Sequence, residues 1–108
     1  MKTENEWYQQ GDVIIEPANM PSDAKVVSAK ERGFVLAEGE HTGHAHVIDK
    51  IADIEFVEKD GLFYIANKKP VTVRHEEHKP IVIPAGTWRV RGVLEYDHFA
   101  EEARRVLD

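Results

Sequence analysis

Two short runs hold five of the chain's six histidines: Glu40-His41-Thr42-Gly43-His44-Ala45-His46 and His75-Glu76-Glu77-His78. A neutral imidazole binds borderline transition metals, and it is also the common side chain that titrates near pH 7 without help from its surroundings. Clustering therefore points to a metal centre or to acid–base chemistry. On an extended strand, residues i and i+2 share a face, so His44 and His46 present two imidazoles side by side with Ala45 turned away. That is a two-point chelate. The small neighbours Gly43 and Ala45 leave room for a ligand, His41 can bend back toward the pair, and Glu38 and Glu40 share their strand parity.

The second run closes a strand. His75 continues the parity of Val71 and Val73, and His78 precedes Lys79-Pro80, where a turn is expected. His75 and His78 reach one site only if the backbone bends at Glu76-Glu77. The expected ligand set is His44, His46 and His78, with His75 or His41 as the fourth. Glu40, Glu76 or Glu77 can add a carboxylate, and Glu40 or Glu77 is the candidate general base. Histidine and carboxylate donors suit Zn, Fe, Mn, Ni or Cu alike, and an open coordination position would activate water or bind a small anionic molecule. His98, alone in the tail, reads as a surface residue.

Composition narrows the classes. With Lys plus Arg at 14 and Asp plus Glu at 20, the formal charge of −6 argues against a surface that wraps nucleic acid. The absence of cysteine removes disulfides, thiolate ligands and a cysteine nucleophile. The N-terminal residues are polar, without the apolar stretch of a signal peptide, and no run approaches the length of a membrane span. The expectation is a cytoplasmic protein with no membrane partner. A length of 108 residues suits one domain, residues 1–108.

Short β-branched and aromatic runs between turn signals must position these residues. They predict strands near Asp12–Glu16, Lys25–Ala29, Phe34–Glu38, Ala45–Ile48, Ile54–Glu58, Leu62–Ala66, Val71–His75, Ile81–Ile83 and Thr87–Leu94. Asp60-Gly61 is the strongest hairpin signal. Trp88 and Val90 alternate with Arg89 and Arg91, so the arginines form an outward strand face, while Trp88, Tyr96 and Phe99 read as core or interface. Phe99, Ala103, Val106 and Leu107 fall at helical spacing, which predicts a short C-terminal helix capped by Asp97. The expected fold is all-β, a small barrel or β-sandwich with that helix. Exposed sheet edges favour a homodimer or higher homo-oligomer.

The pattern resembles a small cupin over residues 34 to 94. The features carrying the resemblance are His44-Ala45-His46 early in an all-β chain, Pro84-Ala85-Gly86 in the second half, and the strand–turn rhythm between them. It implies a β-barrel around a metal held by the histidine pair, a nearby glutamate, and a histidine just after the Pro-x-Gly turn. This chain departs from that pattern. Arg89 stands three residues after Gly86, and Lys50 and Ile51 stand where the glutamate belongs, so His75 or His78 must supply the missing ligand. The run His75-Glu76-Glu77-His78 is one residue short of the helical zinc-protease motif. No glycine-rich phosphate loop and no nucleophile elbow is present.

Three readings follow. One is a metal-binding β-barrel protein, acting as an enzyme on a small molecule if a coordination position stays open. A second is a non-catalytic oligomeric module in which the histidines act as a metal or pH switch. A third is a metal-free hydrolase or nuclease, with a histidine pair as acid and base and Arg89 or Arg91 holding an anion.

Overall fold

The computed structural model describes residues 6–39, 42–92, 94–97 and 102–105. Twelve strands are present: β1 (Tyr8–Gln10), β2 (Val13–Pro17), β3 (Lys25–Val26), β4 (Phe34–Glu38), β5 (Ala45–Ile48), β6 (Ile54–Lys59), β7 (Leu62–Asn67), β8 (Val71–Arg74), β9 (Ile81–Ile83), β10 (Gly86–Gly92), β11 (Leu94–Asp97) and β12 (Glu102–Arg105). All pairings are antiparallel. One sheet has the order β1-β2-β10-β7-β6-β3, and a second has the order β4-β5-β8-β9. The expected all-β architecture is present, but the two sheets do not close into a barrel among the described residues. Strands that change sheet between hairpins build a sandwich instead.

Alternation explains the core. Val13 and Ile15 of β2, Ile65 of β7, and Trp88 and Val90 of β10 face inward from the larger sheet. Leu36 of β4, Ile48 of β5, Val73 of β8 and Ile83 of β9 meet them from the other. Each fully buried aliphatic side chain contributes about 1.5–3 kcal/mol relative to exposure. Asp60 and Gly61 both have positive φ, 55° and 82°, and join β6 to β7 as the two-residue turn that Asp-Gly favours. Arg89 and Arg91 lie on the outward face, where both bond Glu16 across the sheet, Arg89 Nε at 2.8 Å and Arg91 Nε at 3.2 Å. Burial alone would raise the Glu16 pKa, but the two guanidiniums outweigh it and hold the carboxyl below its usual value.

The C-terminal helix is a correction. Leu94–Asp97 and Glu102–Arg105 pair as antiparallel strands, and no helix occurs among the described residues. An isolated helix of some 11 residues is marginal in water without a packed face, and a strand pair satisfies the same backbone groups by a ladder. The rest of that expected segment, His98 included, lies outside the described residues.

Two local devices shape the edge where the histidines gather. The pairing of β4 with β5 shifts register between Val35 and Ala37, a bulge opposite the Val47–His46 step. Bulges bend a strand and re-aim the side chains beside them. The Lys30–Gly33 turn folds over the outer face of β5, closed by hydrogen bonds in both directions at 2.8 and 3.0 Å. Gly33, at φ 126°, sits so close to the Ile48 carbonyl and Val47 that no side chain fits there. All four residues of β5 are buried.

Candidate metal centre

β5 pairs with β8 through Val47↔Arg74 and Ile48↔Val73. Continuing that antiparallel register past the end of β8 sets His46 opposite His75, Ala45 opposite Glu76, and His44 opposite Glu77. The side chains follow it. The His46 and His75 ring centres are 4.3 Å apart, the Ala45 N–H donates to Glu76 Oε1 at 2.9 Å, and His44 Nδ1 lies 3.7 Å from Glu77 Oε2. The backbone bends across Glu76–His78, as the convergence of both histidine runs requires. His78 then reaches the same cluster, its ring centre 4.6 Å from that of His75 and 6.1 Å from that of His46. His44 approaches His75 edge-on at 5.7 Å.

These ring-centre distances, 4.3 to 6.1 Å, fall on both sides of the spacing a single ion would set. Imidazoles bound tetrahedrally through nitrogens about 2.0–2.1 Å from one metal have ring centres about 5 Å apart. Ligand atoms of His44, His75 and Glu76 all lie within 4.8 Å of one another, a group that does not take in His46 or His78. Glu76, however, is already engaged. Its Oε2 accepts from Arg32 Nη2 at 2.6 Å while its Oε1 takes the Ala45 amide. The Ala45 N–H first, and the Arg32 charge after it, lower the Glu76 pKa to about 2. Arg32 also donates to the Gly43 carbonyl at 2.9 Å, so it ties the two histidine runs together from outside.

His46 is the buried member, 7% exposed, and its environment fixes its proton. Gln10 Nε2 donates to the carbonyls of Val73 at 3.0 Å and Lys79 at 2.8 Å. Both amide hydrogens are thereby used, and flipping the amide would set oxygen against two oxygens. Gln10 Oε1 must then be the acceptor for His46 Nδ1, 2.7 Å away. Nδ1 carries the proton, and Nε2 keeps a free lone pair. Burial, followed by the neighbouring His75 and His78, pushes the His46 pKa down from 6.5 to about 4, which keeps the ring neutral at pH 7. His75 is lowered for the same reasons, burial first and His78 second. Its Nδ1 accepts the Glu77 N–H at 3.0 Å.

The structure thus brings together His44, His46, His75 and His78, with Glu76 and Glu77 at the rim. Glu40 and His41 lie outside the described residues. Arg89, at the position where the cupin pattern has a histidine, is instead committed to Glu16. Gln10, Gly11 and Arg32 were not anticipated. Gln10-Gly11-Asp12-Val13 does carry a signal, a Gly-Asp pair of the kind that joins hairpin strands, and the register Gln10↔Val13 shows that it forms one. Gly11, at φ 57°, lies against His78: a Cβ there would fall 2.5 Å from His78 Nε2.

Fold and site together define a two-sheet antiparallel β domain with four clustered imidazoles at one edge. The chain belongs to DUF8820, a domain family of unknown function, whose family model matches residues 9–92. That span contains Gln10, Arg32 and all four clustered histidines, and it ends before β11. No curated protein and no solved structure matches the chain. No helix among the described residues is long and apolar enough to cross a membrane.

Proposed function

We propose that this domain binds a single divalent transition metal through His44, His46 and His75, with His78 closing the set. The observation that carries the reading is the Gln10–His46 hydrogen bond. Metal-ligating histidines characteristically donate their second ring N–H to an oxygen acceptor, which fixes the tautomer and aims the free nitrogen at the ion. A buried glutamine whose own hydrogens are spent on two carbonyls supplies that acceptor to His46. The depressed His46 pKa adds support, because a metal competes with protons for imidazole.

The ligand set departs from the cupin pattern in drawing its second pair from the bend at Glu76–His78, before the Pro-x-Gly turn. An all-imidazole site favours Zn, Cu, Ni or Fe over the harder cations. A metal there would supply Lewis-acid chemistry to a small molecule. Glu77, exposed and 3.7 Å from His44, is the carboxylate free to act as base. Among the described residues β3 and β4 are sheet edges, which fits a homo-oligomer that pairs or covers them.

Elemental analysis of protein purified without a nickel column tests the reading. About one equivalent of transition metal per chain, retained through gel filtration, is expected of a closed imidazole site. Less than about 0.2 equivalent after reconstitution with zinc, copper, nickel and iron(II) in turn would overturn it.

A further inference from the structure

A cleft of about 480 Å³ opens on the outer face of the smaller sheet, directly beside the imidazoles. Its lining includes Ala45 and Val47 of β5, both nearly inaccessible, the exposed Pro80, and His75. Two guanidiniums face it, and they differ. Arg32 is engaged by Glu76, the Gly43 carbonyl and Glu38. Arg74, opposite Val47 in the β5–β8 ladder, has no ion pair or side-chain hydrogen bond among the described residues.

We infer that this cleft seats a small organic monocarboxylate, held by the Arg74 fork with its apolar body against Pro80. Charge decides the class. Among the residues lining the cleft, Glu76 offsets Arg32 and Arg74 keeps the remaining positive charge, in a chain whose formal net charge is −6; Glu38 contacts Arg32 from outside the lining. A single planar guanidinium matches a carboxylate bidentately, whereas a phosphate dianion would bring excess negative charge beside Glu76. The volume falls within the range of small-molecule pockets, and an apolar wall with one directed polar group is their usual composition. His75 is the imidazole shared by the cleft lining and the histidine cluster. The role of substrate rests on the metal reading. The carboxylate affinity does not.

Titrating benzoate and, separately, phenyl phosphate into the isotope-labelled full chain in EDTA separates the two ideas. Saturable benzoate shifts at the Ala45, Val47, Arg74 and His75 amides are expected, with at least about tenfold weaker binding in Arg74→Gln and partial recovery in Arg74→Lys. Retained spectra of both variants show that the fold is intact. No saturable shift in the wild type, equal affinity in Arg74→Gln, or tighter binding of phenyl phosphate than of benzoate would overturn the inference. Binding in EDTA leaves the metal reading to its own test. A repeat on zinc-reconstituted protein is expected to tighten benzoate binding; an unchanged affinity would remove the substrate role while the cleft's carboxylate site stands.

Discussion

The Gln10 carboxamide and the His46 imidazole form one buried unit, Oε1 to Nδ1 at 2.7 Å, in which every hydrogen has one place to go. Gln10 stands on β1 of the larger sheet, while its bonding partners are β5, β8 and the chain leading into β9 of the smaller one. The same side chain therefore clamps the sheets and sets the tautomer of a candidate ligand. Nitrogen-15 NMR of the metal-free protein at neutral pH is expected to show His46 protonated at Nδ1 and bare at Nε2. In Gln10→Leu, zinc affinity is expected to fall about 10–100-fold, the usual effect of losing an outer partner of a ligand. Stability is expected to fall by about 2–4 kcal/mol, because the substitution strands the buried His46 N–H and two carbonyls. A proton on Nε2 in the wild type would contradict the tautomer assignment.

Acid is expected to destabilise the metal-free protein before any carboxylate is involved. His46 has a folded pKa near 4 against an ordinary value of 6.5. Its contribution to stability is complete above about pH 6.5 and is lost as pH falls toward 4, since the unfolded chain takes up the proton first. His75 and His78 oppose a charge on His46, while Asp12 and Glu76 favour one. The loss amounts to about 3 kcal/mol. Urea unfolding at steps between pH 7 and 4 measures it. In His46→Phe the slope over this window is expected to be shallower, and an unchanged slope would assign it to other groups.

Glu76 behaves in the opposite sense. Its carboxyl is held near 2, so its contribution is present above the ordinary value of 4.5 and lost only as pH falls toward 2. The Ala45 N–H is the first cause and Arg32 a later one. Arg32→Ala is therefore expected to raise the Glu76 pKa only part of the way to 4.5, as read by carbon-13 titration of the carboxyl. Full recovery to 4.5 would show that Arg32, not the amide, holds the charge.

Gly11→Ala tests how tightly the β1–β2 turn approaches the centre. At φ 57° an alanine is strained, and its Cβ would collide with His78. A loss of about 1–3 kcal/mol is expected from the backbone alone. Zinc affinity is also expected to fall as His78 is displaced. Gly61→Ala, with similar φ but open space around its Cβ, is the control that shares the strain without the collision. Equal zinc affinity in the two variants would remove His78 from the ligand set.

Much of this was legible in sequence. Phe34–Glu38, Ala45–Ile48 and Ile81–Ile83 match the observed strands residue for residue, because turn residues bound each β-branched run. Strand parity suggests a shared face for His44 and His46, and in the structure each approaches His75. The pairing of β5 with β8 was not legible, since register between strands 25 residues apart depends on packing that no local pattern encodes. That register is what sets His46 against His75. β1 escaped notice because three residues with two glutamines carry no apolar alternation. The tail misled in part: Ala103 of the expected helical face stands in the strand Glu102–Arg105, while Phe99, Val106 and Leu107 lie outside the described residues.

The central claim, one metal among these imidazoles, is tested most directly by anomalous diffraction from a crystal grown with zinc. A single strong peak within about 2.3 Å of His46 Nε2, with His44 and His75 nitrogens at similar distance, is the predicted result. No peak in the cluster, or zinc bound only at surface carboxylates, would contradict it.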